Sequence, residues 1–388
     1  MTTADQAFVK KHNQNILLSE IIKRSPISRA KLSELTHLNK ATVSSQVAAL
    51  IESKLVFEIG QGQSSGGRRP VLLVFNKDAG YAIGVDLGVN YIRTVLTNLS
   101  GNIVFEDFVT LADPSFAAVG PLLTDRLHYV MHHAPESPYG IIGIGIGIQG
   151  FVDEEQKILF TPNSKWDHVD LRSFLQKDFN FPILLTNEAN AGAYGEKLFG
   201  TLRDCQNGVF VSLGIGLGVG LILNGEMYNG THGFSGELGH MTIDLAGKKC
   251  HCGNRGCWEL YVSERTFLRQ LSRLKGRTLN DIREALDLIR NNDVNALNCL
   301  DQIAYYLGLG VTNIINIFDP ELVILNGNLV ESSPLVMSTV KKTVAERAFK
   351  HVESRCRITV SELGREATAI GGASFAIEEF FENRETSL

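Results

Sequence analysis

The stretch Gly236–Glu259 reads G-E-L-G-H-M-T-I-D-L-A-G-K-K-C-H-C-G-N-R-G-C-W-E. It places Cys250, Cys252 and Cys257 within eight residues, with His240 ten residues ahead of the first. Three thiolates and one imidazole are a complete ligand set for a tetrahedral zinc ion. The glycines between the cysteines let a chain with ligands so near in sequence turn back on itself. Four protein ligands leave no open position for water or substrate, so the expected zinc is structural. Glu237 and Glu259 bracket the loop and bring carboxylates beside it. Unbound thiols and a surface histidine are the plainer reading, but C-x-C-G-x-x-G-C after G-H is not a spacing that scattered cysteines produce. Cys205, Cys299 and Cys356 have no such spacing and read as small buried apolar residues.

The chain has 388 residues, 44% hydrophobic and 20% charged, which fits a soluble globular protein of two or three domains. It has no run of eighteen apolar residues and no apolar leader. A cytoplasmic location is therefore expected, with cysteines reduced or metal-bound. The net charge of −5 is unevenly spread. Residues 1–75 hold ten Lys or Arg against five Asp or Glu, so they carry +5 and the remainder −10. A basic head on an acidic body means that only the head is suited to a polyanion.

Within that head, Asn13 or Asn15 is positioned to cap a first helix with Leu17, Ile21 and Ile22 on one face, ended by Pro26. Ser28 caps a second helix, Arg29–Thr36, and the turn His37–Lys40 follows. A third helix runs from about Ala41 to Ser53, with Val43, Val47, Leu50 and Ile51 at helical spacing. Thr42, Ser44, Ser45 and Gln46 are expected on its outer side, next to Lys40. This is the pattern of a helix-turn-helix, whose second helix presents its first residues to base edges. Gln46 can pair with adenine, and Thr or Ser with bases or phosphates. Two strands, Leu55–Ile59 and Val71–Phe75, flank a loose tip containing Arg68 and Arg69. That hairpin reads as the wing of a winged helix, its arginines set to enter a minor groove or neutralise phosphates.

Beyond residue 76 the pattern is α/β. Tyr81–Asp86 is a buried strand; Tyr91–Thr97 and Ile103–Leu111 follow as strands, and Phe116–His132 as a helix. Ile141–Ile148 alternates Ile with Gly, which leaves one sheet face bare for close approach by another element. The strand, polar turn, strand and hairpin pattern recurs at Val209–Leu213 and Val219–Leu223, implying two similar α/β lobes.

G-E-x-G-H followed by C-x-C-G-x-x-G-C-x-E resembles the signature of the ROK family (repressors, open reading frames and sugar kinases). The resemblance covers about residues 80–375, and a DNA-binding domain precedes it, as in the family's repressors. It implies a two-lobed, actin-like ROK sugar kinase fold behind an N-terminal winged helix-turn-helix domain, residues 1–75. Lobe I would span 76–200 and be completed by the C-terminal helix, about 370–388; lobe II, 201–369, would carry the zinc loop. The family's sugar-site motif matches Asn187-Glu188-Ala189-Asn190, and the sugar contacts it implies are Asn187, Glu188, Glu237, His240 and Glu259. Gly150 matches the loop over the sugar, and Asn163 is placed to close the pocket. His240 would bind zinc with one ring nitrogen and the sugar with the other.

The family's kinases open with D-x-G-G-T-K, where this chain has Asp86-Leu87-Gly88-Val89-Asn90-Tyr91. A glycine, a hydroxyl and a lysine that phosphoryl transfer would use are missing. The second phosphate loop is Gly214-Ile215-Gly216 instead of G-T-G, and the family's catalytic aspartate is replaced by Glu188. No catalytic residue is therefore assigned. The resemblance implies a sugar-responsive repressor: a homodimer on double-stranded operator DNA, released by a monosaccharide effector, xylose foremost. An active sugar kinase with a DNA-binding head, and a regulator answering to another monosaccharide, stay open on the sequence. Glu188, one methylene longer than Asp, would fill space that a hexose needs for its exocyclic group, and so favour a pentose.

Overall fold

The computed structural model describes residues 3–61, 71–153, 155–350 and 355–383. Helices α1 (Thr3–Arg24), α2 (Arg29–Thr36) and α3 (Lys40–Glu52) pack around Leu17, Leu18, Ile21, Leu32, Val43, Val47 and Leu50. Ser28 caps α2 by accepting from the Lys31 amide, and Asn39 caps α3 by accepting from that of Thr42. Between them His37 adopts a left-handed conformation, φ 56°, which ends α2 sharply. Strands β2 (Val56–Gln61) and β3 (Val71–Phe75) pair antiparallel, and β1 (Ile27–Ser28) joins the free edge of β3.

Helix α1 starts ahead of the predicted caps, so Asn13 and Asn15 lie inside it. Its buried face is Leu17, Leu18 and Ile21, whereas Ile22 is 40% exposed. At 100° per residue Ile22 lies about 90° round from the centre of that face, on its rim.

The first of two five-stranded sheets follows. Strands β4 (Tyr81–Leu87), β5 (Tyr91–Asn98) and β6 (Ile103–Thr110) form an antiparallel meander. Helix α4 (Phe116–Met131) leads to β7 (Ile141–Ile148), parallel to β4. A small sheet, β8 (Phe151–Val152), β9 (Ile158–Phe160) and β10 (Asp167–Val169), and helix α5 (Leu171–Leu175) come next. Strand β11 (Ile183–Asn187) then completes the order β11-β7-β4-β5-β6.

Helix α6 (Glu188–Phe199) crosses to the second sheet, where β12 (Gly208–Leu213), β13 (Leu217–Leu223) and β14 (Glu226–Met227) repeat the meander. The cysteine loop and helices α7 (Glu259–Val262), α8 (Glu264–Lys275), α9 (Ile282–Arg290) and α10 (Val294–Phe318) precede β15 (Leu322–Asn326), parallel to β12. Helices α11 (Asn328–Glu331) and α12 (Pro334–Arg347) lead to β16 (Arg357–Val360). The order β16-β15-β12-β13-β14 is that of the first sheet, so the sequence repetition is a repetition of topology.

Helix α13 (Ala367–Asn383) returns to the first sheet and uses the bare face of β7. Ile144, Ile146 and Ile148 are buried in the core shared with α4. On the opposite face, a Cβ added to Gly145 would lie 1.9 Å from the Gly372 carbonyl oxygen, and one on Gly84 1.8 Å from that of Ala369. Backbone therefore rests on backbone. Among the described residues no helix is long and apolar enough to cross a membrane.

Gly145→Ala is expected to destabilise the protein by about 1–3 kcal/mol or more, because neither backbone can retreat from the new methyl group. A urea unfolding midpoint measures it.

Candidate functional site

Beyond β14 the chain folds across β13 to build the cysteine loop. Gly236 has φ +89°, and a Cβ there would meet the Val219 carbonyl oxygen at 2.1 Å. Only glycine lets the loop sit so low on the strand. Short bridges pair Thr242 with Cys257 and Lys249 with Arg255, and Gly256 approaches Asp244 so closely that a Cβ would fall 1.7 Å from its carbonyl oxygen. Trp258 anchors the loop's end: it is fully buried, and its Nε1 donates to the Tyr306 carbonyl of α10 over 2.9 Å.

This folding brings His240, Cys250, Cys252 and Cys257 together, with one ligand atom of each within 4.8 Å of the others. His240 Nδ1 is 3.7 Å from Cys250 Sγ, and Cys252 Sγ is 3.6 Å from Cys257 Sγ. A tetrahedral ion with ordinary zinc–sulfur and zinc–nitrogen bonds places its ligand atoms about 3.5–3.8 Å apart. The four side chains thus fit a metal ion. His251 lies beside the set, 3.8 Å from Cys250 Sγ and 3.7 Å from Glu259.

His240 links this centre to a group of carboxylates, because its Nε2 lies 3.9 Å from Glu237 Oε2. Glu188, Glu237, Glu259 and Asp86 converge there. Burial, and then the charges of Asp86, Glu237 and Glu259, hold the Glu188 carboxyl well above the usual carboxylate range. Burial and then Glu259 raise Glu237 to about 7. Burial raises Asp86 to about 6, against the lowering effects of the Tyr91 hydroxyl and Arg93. Glu259 Oε2 accepts from the Leu217 amide over 3.3 Å, while Glu188 Oε2 is buried with no hydrogen-bond partner among the described residues. A carboxyl held neutral donates as well as accepts, which suits a ligand made of hydroxyl groups.

The other predicted contacts are placed differently. Asn187 caps α6, its Oδ1 accepting from the Ala189 and Asn190 amides, and its Nδ2 donates to the Gly150 carbonyl over 3.1 Å. It therefore joins the Gly150 loop to α6. Asn163 Oδ1 accepts from Arg265 Nη2 of α8 over 2.8 Å. That bond ties the loop after β9 to α8, and Phe151 of β8 packs edge-on against Phe234 of the loop after β14, at 5.6 Å between ring centres. Arg265 carried no signal in the sequence, since only the fold brings it to Asn163.

Tyr91 does more than replace a lysine. Its hydroxyl donates to Asp86 Oδ2 over 2.8 Å, and its ring stacks on Phe108 at 5.7 Å. A Cβ on Gly88 would lie 2.4 Å from that ring. The space over the Asp86-Leu87-Gly88 turn is filled by an aromatic side chain.

In the amino-terminal unit, Lys40, Ser44 and Ser45 are exposed and Thr42 is half-buried at the start of α3. Gln46 is a correction: it is buried, 9% exposed, with its Oε1 unpaired among the described residues. It falls on the same stripe as Val43, Val47 and Leu50, spaced i, i+3, i+4 and i+7, so the helix turns it inward. Arg68 and Arg69 lie outside the described residues.

The profile of the ROK family matches residues 82–379. The chain belongs to the ROK family. It is 50% identical over 382 residues to the xylose repressor of Bacillus spizizenii, covering 98% of this chain and 99% of that protein. Among solved structures it is similar to a ROK family transcriptional regulator, a homolog of the E. coli MLC protein. The identity is 25% and the TM-score 0.79, covering 96% of this chain and 97% of the other. A ROK family glucokinase from Streptomyces griseus, solved with glucose and AMPPNP, is 26% identical with a TM-score of 0.68. The match takes in all of the glucokinase but 77% of this chain. The family profile begins at residue 82, so the surplus is chiefly the amino-terminal unit.

The raised Asp86 pKa has a definite sign. The folded state binds this proton more tightly than the unfolded chain, so the stabilisation is complete below about pH 4 and lost as pH rises through about 6. Asp86→Asn keeps an acceptor for Tyr91 but removes the titration. Relative to that variant, wild type is expected to lose about 1–3 kcal/mol across this window in a pH series of urea midpoints.

Proposed function

We propose that this chain is a sugar-responsive transcriptional repressor with xylose as its effector. The observation that carries the reading is the 50% identity, over nearly the whole of both chains, to a protein named xylose repressor. The different coverage of the regulator and the glucokinase supports it, since the amino-terminal unit is what the enzyme lacks. That unit, residues 1–75, is read as a winged helix-turn-helix. Lys40, Thr42, Ser44 and Ser45 face the DNA from α3, and Arg68 and Arg69 act from the wing. Gln46 is no longer assigned a base contact, because it is buried. A homodimer would set two such units on a palindrome with half-sites one helical turn, or a multiple, apart.

The effector binds between the lobes, 76–200 with the C-terminal helix and 201–369. Glu188, Glu237, His240 and Glu259 are its polar contacts, and Asn187 with Gly150 shapes the wall. The metal is read as zinc in a structural role: when bound, it holds the loop that presents His240 and Glu259. Tyr91 over Gly88 supports a cleft that binds sugar without phosphorylating it. Binding then has to be coupled to geometry. A 100-fold loss of operator affinity corresponds to about 2.7 kcal/mol of differential binding, and operator must weaken sugar binding by the same factor.

Purified protein is expected to retard DNA from upstream of its own gene in a gel shift, and xylose to raise the dissociation constant about 100-fold. Operator that stays bound at saturating xylose, but leaves with another monosaccharide, replaces the effector. A complex indifferent to every sugar refutes the reading. Glu188→Asp, assayed by calorimetry, is expected to lower the pentose-to-hexose affinity ratio about tenfold by reopening space for one more group. An unchanged ratio removes Glu188 from specificity.

A further inference from the structure

Five residues, 76–80, connect the amino-terminal unit to β4. So short a connection still swings freely unless it is tied, and this one is tied throughout. The Asn76 amide donates to the Leu55 carbonyl over 2.8 Å, and its side-chain amide to that of Lys54 over 2.7 Å. The Leu99 amide donates to the Lys77 carbonyl, and the Tyr139 amide to that of Ala79, each over 2.9 Å. Asn98 Nδ2 donates to Asp78 Oδ1 over 2.9 Å. The Tyr139 hydroxyl then reaches back to the Ser53 carbonyl at the end of α3, over 2.7 Å.

The two cores are also continuous. Leu50, Leu55 and Phe75 belong to the same buried cluster as Ala82 and Ile142 of the first sheet and Ala373, Ala376 and Ile377 of α13. At the end of that helix Phe380 packs edge-on against Tyr139, 5.0 Å between ring centres, and Phe381 lies 6.3 Å from Phe75. The start of α13 is the part seated backbone on backbone against Gly84 and Gly145. One helix thus grips the sheet at one end and the amino-terminal unit at the other.

Helix α6 follows β11 of the first sheet without a linker, and it packs on the second sheet as well. A Cβ on Gly220 of β13 would lie 2.4 Å from the Ala189 carbonyl oxygen, and one on Gly192 2.3 Å from the Phe210 ring. Helices α6 and α13 meet through small residues, where a Cβ on Gly371 would fall 1.7 Å from the Ala191 carbonyl oxygen. Thr368 Oγ1 donates across this face to the Glu188 carbonyl over 3.2 Å, and Tyr194 stacks flat on Phe375.

Resting on the repressor reading, we propose that Tyr139, Phe380 and Phe381 are positioning residues for operator recognition. They bolt the amino-terminal unit to α13, so that this unit, the first sheet and α13 turn as one rigid body relative to the second sheet. Sugar held by Glu188 of α6 and by the loop on the second sheet then changes how the two bodies sit. The DNA-binding unit follows the first sheet and is never loosened from it.

Hydrogen exchange on the full chain tests this. In wild type the amides of Asn76, Leu99 and Tyr139 are expected to exchange within about tenfold of those of β4, with or without saturating xylose. In Phe381→Ala the same three are expected to speed up by at least about tenfold while β4 does not, and Phe381→Leu lies between. Amides at this seam that exchange like a free linker in wild type, that open when xylose is added, or that ignore Phe381→Ala overturn the proposal. Gel shifts on the same samples separate the two readings. Operator that stays bound at saturating xylose while the seam remains closed defeats the effector assignment and leaves the rigid body standing.

Discussion

Contact between the backbones of α13 and the first sheet is the constraint on which most of the molecule depends. It exists because Gly84, Gly143, Gly145 and Gly147 present no side chains on one face. Isoleucines fill the opposite face of β7 with the α4 core. With α13 seated, Phe380 and Phe381 reach the amino-terminal unit, and Gly371 meets α6. The helix that begins at Glu188 is therefore packed directly on the helix that holds the amino-terminal unit.

The second constraint is electrostatic. Four carboxylates crowd one place: Asp86, Glu237 and Glu259 disfavour ionisation of Glu188, and Glu259 that of Glu237. Arg93, whose charge acts on Asp86, is taken up by Glu106 and Glu366. Such a site is ill suited to an anion and well suited to a neutral polyol, because protonated carboxyls donate hydrogen bonds that carboxylates cannot. The cysteine loop contributes rigidity: Trp258, locked into α10, fixes the backbone one residue before Glu259.

Much of this was legible in the sequence where one local pattern dictates one structure. The Ile-Gly alternation at 141–148 announced a strand with a bare face, and the cysteine spacing announced four converging ligands. The repeated meander announced two sheets of one topology. Ser28 capped α2 as read, because the cap lies within a few residues of what it caps. What failed was set by tertiary contact or lacked periodicity. The first turns of α1 are polar and carry no apolar stripe, so Asn13 and Asn15 passed for its beginning. Gln46 was judged by its chemistry rather than by its place on the Val43–Leu50 stripe. Asn163 pairs with a residue more than a hundred positions away. Tyr91 was read as a lost lysine, whereas the fold makes it a plug hydrogen-bonded to Asp86.

The central claim is that a cleft of enzyme ancestry now holds its ligand without reacting it. The most direct measurement is ADP release from purified protein given ATP, magnesium and xylose. A rate unchanged by xylose is the predicted result. Sugar-dependent ADP formation at an ordinary enzymatic pace, about 1–1,000 turnovers per second, would contradict it.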